Sequence, residues 1–155
     1  MIDTTVQKAK PVVVLPDDLE PLRAFGDEIY FHAGGAETGG KYAIFTDITP
    51  PDSGPPPHYH ENEDEWFFPL EGRVEFFFNG EWREVPMRTL VFIPRGTVHT
   101  FRNIGDRPLV QLIHTSPSGF ETFFARCAAE FAKSGPPDMA RIVEISAEHG
   151  IYFVD

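Results

Sequence analysis

The sequence predicts an all-β fold, an antiparallel sandwich or a jelly-roll barrel, on three observations. Ten or so short runs are rich in β-branched and aromatic residues, turn-forming residues bound each run, and no helical period interrupts them before residue 116. At 155 residues the chain is long enough to close one hydrophobic core but not two.

The expected strands are 12–15 (VVVL, stopped by Pro16), 27–32 (DEIYFH, entered from Gly26) and 41–48 (KYAIFTDI, between Gly40 and Pro50). Next come 57–60, leaving three prolines, 65–70 (EWFFPL, ending before Gly72) and 73–78 (RVEFFF). Asn79-Gly80 joins that run to 81–85 (EWREV) and is the strongest hairpin signal in the chain. Runs 89–93 (TLVFI), 97–103 and 108–115 (PLVQLIHT) complete the set, divided by Pro94 and by the Gly105-Asp106 turn.

After residue 116 the period changes. Ser118 followed by Glu121 reads as a capping box, and Phe120, Phe123, Phe124, Cys127, Ala128 and Phe131 fall at helical spacing through to about residue 133. A shorter helix is expected from Asp138 to about His149, with Met139, Ile142 and Val143 inward and Gly150 as its stop. The organisation read from these elements is an N-terminal arm or strand over 1–22, a β core over 23–116, and a helical extension over 117–155 that covers one end of the core.

Composition narrows the function classes. A formal charge of −11 repels phosphate backbones and anionic lipid alike, so neither nucleic acid nor a membrane surface is an expected partner. The opening run MIDTTVQKAKPVVVLPDD holds too few consecutive apolar residues for a secretory leader or a span, and the chain is expected to be cytoplasmic. The single cysteine, Cys127, fits a reducing compartment and reads as a core thiol.

The chemistry concentrates in PPPHYHENEDEWFFPLEG, residues 55–72. Residues two apart point away from each other on a helix but share a face on a strand. Pro55, Pro56 and Pro57 hold the backbone extended, so His58 and His60 project together and Tyr59 projects opposite. If the strand opened by Glu65 pairs back on the first, its carboxylate returns to the face of the imidazoles. Glu61 and Glu63 suit a solvated turn, and Asp64 points away from Glu65. Two imidazoles and a carboxylate suit divalent iron, manganese, nickel, copper or zinc, and His99 in PRGTVHTFRN offers a fourth donor.

Residues 58–72 fit H-x-H-x4-E-x6-G and residues 94–103 fit P-x-G-x2-H-x3-N, with 21 residues between Gly72 and Pro94. These two segments resemble the paired motifs of the cupin superfamily. The runs GAETGG, SGPPPHYH, IPRGTVHTFRN and TSPSGFE are similar to single-domain quercetin dioxygenase-like cupins. The resemblance implies a small jelly-roll β-barrel that binds one divalent ion through His58, His60, Glu65 and His99. Two departures concern loop shape: Gly54 stands closer to His58 than in the family pattern, and Arg88 replaces a glycine usual ahead of the second motif.

Such a centre implies a dioxygenase in which an enolisable aromatic or 1,3-diketone gives up a proton, with Glu65 as the nearest base, and then reacts with dioxygen. An isomerase or lyase, or a non-catalytic small-ligand binder, fits the same motifs. Phe67 and Phe101, two residues from Glu65 and His99, share the ligand face and are expected to line the pocket, whereas Phe76, Phe78 and Phe92 read as core. His114 is a further pocket candidate, His32 reads as loop, and His149 as a helix C-terminal contact. A homodimer is expected, with VVVL added to a partner's sheet edge.

Overall fold

The computed structural model describes residues 9–155. In chain order the elements are β1 (Leu22–Ala24), β2 (Asp27–Ala33), α1 (Gly35–Thr38), β3 (Ala43–Thr49), β4 (His58–His60), β5 (Asp64–Glu71) and β6 (Val74–Phe78). They continue with β7 (Glu81–Val85), β8 (Val91–Ile93), β9 (His99–Asn103), β10 (Leu109–Ser116), α2 (Phe120–Phe131), α3 (Met139–Glu148) and β11 (Ile151–Phe153).

The strands form two antiparallel sheets, one ordered β1-β2-β3-β10-β5-β8 and the other β11-β4-β9-β6-β7. Side chains alternate between inside and outside most regularly on β3 and β10, where every second residue is buried. The inner faces meet through aromatic rings: Phe67 on β5 lies 5.2 Å from Phe76 on β6 and 5.8 Å from Phe101 on β9. Among the described residues no ladder joins the two sheets, so the expected closed barrel is seen as a pair of facing sheets. Their outer strands β1, β8 and β11 are only three residues long, which leaves little backbone for a closing ladder.

The β6–β7 hairpin forms as expected. Phe78 pairs with Glu81, and Asn79 (φ 53°) and Gly80 (φ 82°) both take the left-handed conformation that a two-residue hairpin turn requires. Arg88, which stands where the resembling family has glycine, also has positive φ at 65°, so the turn is kept at some strain. Gly54 is required by close approach. A β-carbon there would lie 2.0 Å from the Phe101 carbonyl oxygen, a backbone atom of β9 that cannot swing aside. Gly54→Ala should therefore destabilise the fold by about 2–3 kcal/mol, read as a lower denaturation midpoint at unchanged slope.

Several elements differ from expectation. Residues 12–15 are not a strand; Val12, Val13 and Leu15 are exposed and pair with no sheet edge among the described residues. Ser118 does not cap α2. Gly119 takes the cap position, and Glu121 accepts hydrogen bonds from the Gly119 and Gly35 amides, both at 2.9 Å, which tethers α2 to α1. On α3 the Asp138 carboxylate accepts from the Arg141 amide as a proper N-cap. The buried face of α3 is Ile142, Ile145 and Ser146, while Met139 and Val143 are exposed, because one side only of this helix meets the rest of the fold. His32 lies within β2, bonded to the Thr46 hydroxyl at 2.7 Å, and is not in a loop. Phe92, expected in the core, is half exposed and stacks on Trp66 on the outer face. Burial pushes the Cys127 thiol up to about 11, as suits a core cysteine. No helix among the described residues is long and apolar enough to cross a membrane.

Candidate metal centre

β4 carries His58 and His60 on its buried face, with Tyr59 between them on the other. His58 pairs directly with His99 on β9, so the third imidazole arrives through sheet register. The turn ahead of β9 is fixed to β4 as well, since the Gly96 amide donates to the His60 carbonyl at 2.7 Å. Glu65 comes from elsewhere. β5 does not pair back on β4, as the sequence reading supposed, but sits in the opposite sheet between β10 and β8. Glu65 reaches the histidines across the gap between the sheets, which places the centre within the fold and not on one sheet's surface.

Each imidazole is held by its Nδ1. His58 and His99 donate to the carbonyls of Pro56 (2.8 Å) and Thr97 (2.9 Å), and His60 donates to Glu63 Oε2 (3.2 Å). That arrangement turns all three Nε2 atoms inward. Glu65 Oε2 lies 3.0 Å from His99 Nε2 and 3.4 Å from His60 Nε2, and one donor atom from each of the four residues falls within 4.8 Å of the others. Donors about 2.1 Å from a shared ion sit roughly 3 Å apart at right angles and roughly 4 Å apart when opposed. The two Glu65–imidazole separations fall in that range, and the whole set would close on a divalent cation with a small contraction. His60 Nε2, buried without a hydrogen-bond partner, is a lone pair that such a cation would satisfy.

The electrostatics suit the same role. Burial pushes His58 down to about 3, reinforced by the neighbouring His99 and His60, so it stays a neutral ligand. For Glu65 burial acts upward, but the three imidazoles together outweigh it and hold the carboxyl below its ordinary value. For His60 burial acts downward, but Glu65 and Glu63 prevail and raise it.

Glu63 was read from the sequence as solvated; it is buried, 6% exposed, and orients His60. The signal was there in hindsight: three residues after His60, a carboxylate can reach back to Nδ1 around the turn. Glu63→Gln should weaken metal binding by about 10–100-fold with the fold intact, measured by calorimetric titration.

Phe67 and Phe101 line the cavity beside His58, His60 and Glu65, as do Phe45, Phe120 and Phe124. Phe120 comes from α2, its ring 5.2 Å from that of His60, so the start of α2 covers this end of the site. His114 does not line it. Its place in the β10 alternation puts it on the outer face, stacked on Trp66 at 4.9 Å and edge-on to Tyr42 at 4.9 Å. His149 takes the C-cap of α3, where Arg126 donates to its Nε2 at 3.1 Å; burial and that cation hold it down, so it acts as a neutral acceptor. Two further cavity residues, Asp27 and Asp47, were not singled out from the sequence.

Residues 45–114 match the cupin domain family. The polyketide synthase CurC of Streptomyces cyaneus is 28% identical over 113 residues, 72% of this chain and 73% of that protein. The chain spans about half the length of two other curated relatives, 50% and 49%. Among solved structures, a predicted oxalate decarboxylase from Thermotoga maritima superposes with a TM-score of 0.63 at 23% identity, covering 68% of this chain and 99% of that one. The polyketide cyclase RemF of Streptomyces resistomycificus gives 0.60 at 20% identity, covering 70% and 81%. The superpositions show that the chain shares the fold of these proteins, over a core that includes the segment matched by the cupin domain family. Within it, Asn103 of the second motif is structural: its amide donates to the Thr49 and Arg107 carbonyls, and its oxygen accepts from the Gly105 amide.

Proposed function

We propose that the protein is a metal-dependent dioxygenase of small enolisable aromatics or 1,3-diketones. One observation carries the reading: three imidazole nitrogens and one carboxylate converge, and His58, His60 and Glu65 of that set line a cavity whose other walls are mostly phenylalanine. His58, His60, Glu65 and His99 would hold a divalent ion, which would supply Lewis acidity to a substrate oxygen and leave neighbouring positions for further ligands. The apolar walls exclude water and favour a flat, weakly polar molecule over a sugar or phosphate. The cavity measures about 60 Å³, which favours a compact substrate unless the α2 phenylalanines move aside.

CurC favours a second reading. Polyketide chains are built from 1,3-dicarbonyl units, and a non-oxidative isomerisation or cyclisation of such a substrate needs the same centre without dioxygen. Apoprotein loaded separately with iron, manganese, nickel, copper or zinc, and given flavonols and 1,3-diketones, should consume oxygen with at least one metal. Product formed equally well under argon would assign the non-oxidative reading. Binding without turnover for every metal would leave a ligand-binding cupin. The proposal includes a homodimer, because the extended arm exposes Val12, Val13 and Leu15, apolar side chains that a second copy would cover.

A further inference from the structure

Beside the four metal donors, the inner face of the larger sheet carries a second polar group. Ile29 on β2 pairs with Asp47 on β3, so Asp27 lies diagonally next to Asp47 and opposite Thr49. Gln111 on β10 pairs with Asp47 from the other side. All four face inward, with Asp27 8%, Asp47 4%, and Thr49 and Gln111 0% exposed. Asp27, Asp47 and Thr49 approach one another closely, and both polar atoms of the Gln111 amide lack a hydrogen-bond partner. Two carboxyls, a hydroxyl and an amide gathered on three adjacent strands are an unusual polar cluster for the inner face of a sheet. Both carboxyls also line the cavity that holds His58, His60 and Glu65.

Two carboxylates cannot both stay ionised there. In the metal-free protein the charges that act on Asp47 are Asp27 and Glu65, both negative. Burial comes first in raising each: Asp27 reaches about 7 and Asp47 stands well above its ordinary value. A single proton between them removes one charge and gives each carboxyl a partner. Glu65, in contrast, has its Oε2 turned to two imidazoles, which commits it to the donor set.

We propose that Asp27 and Asp47 share one proton and are the acid–base pair of this cavity, taking the acidic proton of a substrate held at the four-donor centre and returning it to the product. The role rests on the reading of the substrate as enolisable. In the forward step the C–H bond between two carbonyls breaks, its electron pair moves onto a carbonyl oxygen to give the enolate, and the proton goes to the ionised carboxyl. The pair is then neutral and doubly protonated. In the return step one proton leaves for carbon or oxygen of the product and the shared-proton monoanion is restored. No oxidant is needed, so the pair serves either the oxidative or the non-oxidative outcome.

Infrared spectroscopy of the metal-free protein tests the proton itself. At pH 7 the spectrum should contain the carbonyl stretch of a protonated carboxylic acid, shifted in D2O and lost in D27N/D47N. Absence of that band, or its survival in the double variant, overturns the shared proton; a hard cation bound between two ionised aspartates would give the former result. The role is read with acetylacetone on metal-loaded protein, following enolate absorbance. D27N/D47N should bind the metal with unchanged stoichiometry but enolise the diketone roughly 10²-fold or more slowly. Equal rates overturn the acid–base role. If wild-type protein with every metal fails to enolise any diketone, the substrate reading fails and takes the role with it, while the infrared band still reports the pair.

Discussion

His99→Ala is expected to abolish tight divalent-metal binding, a larger loss than the roughly 10–100-fold expected where only an orienting partner such as Glu63 is altered. His99 is the donor best placed to show this. It is 2% exposed, its Nδ1 is fixed by the Thr97 carbonyl, and its Nε2 is the closest nitrogen to Glu65 at 3.0 Å. Truncation leaves His58, His60 and Glu65, and Glu65 then loses one of the imidazoles that hold it ionised. Calorimetric titration with manganese, nickel and zinc measures the effect, and the metal content of purified protein checks it. Unchanged affinity in His99→Ala would refute the centre.

The proton linkage of binding has a definite sign. His58 is neutral at any working pH, because its pKa is pushed down to about 3. His60 is the ligand that carries a proton into the neutral range, because Glu65 and Glu63 raise it above its ordinary value. The ion must displace that proton, so affinity should fall as pH drops through the raised value of His60 and level off above it. Glu65→Gln removes the main charge that raises His60, and the pH at which binding weakens should move down. That variant is expected to keep some metal and lose turnover.

How much of this was legible in the chain depends on how local each determinant is. The shared face of His58 and His60 follows from strand period and three prolines, both local, and the Asn79-Gly80 hairpin follows from the φ demands of two residues. Which strand brings Glu65 is not local. β5 pairs with β10, some forty residues on in sequence, and nothing in EWFFPL distinguishes that partner from β4. The short elements β1, α1 and β11 escaped notice because three or four residues carry too little pattern. Residues 12–15 show the converse, a strongly β-prone run that finds no sheet edge to pair with. The aspartates Asp27 and Asp47 look like ordinary strand-end polar residues in GDEIYFH and FTDITP. Their signal is phase: Asp47 falls in register with Phe45 and Thr49, and Asp27 with Ile29, which assigns carboxyls to the inward positions of both strands.

That misplaced polarity should make the metal-free protein less stable as pH rises from about 4 to about 7. Asp27 has its pKa raised from 3.8 to about 7, and Asp47 is raised too, in each case first by burial. An unfolded chain ionises both near their ordinary value, whereas the folded protein keeps a proton until pH approaches 7. Between those limits the native state binds more protons, so unfolding releases them and stability declines with increasing pH. Stability from this source is full below the unfolded value and is lost by the time pH passes the folded one. For Asp27 alone the difference corresponds to about 4 kcal/mol, a large share of the 5–15 kcal/mol that holds a typical domain folded. Asn at both positions keeps the shape and removes the charge, so D27N/D47N should unfold at higher denaturant concentration than wild type at pH 8, by a few kcal/mol, and at nearly the same concentration at pH 4. Denaturant titrations of both proteins at a series of pH values measure the slope directly. The physical content lies in the direction: a fold that gains stability from losing two buried acids has retained them against its own stability, which is the usual mark of groups kept for chemistry. A wild-type profile flat across that window, or a double variant less stable than wild type at pH 8, would show that the two carboxyls are satisfied where they stand.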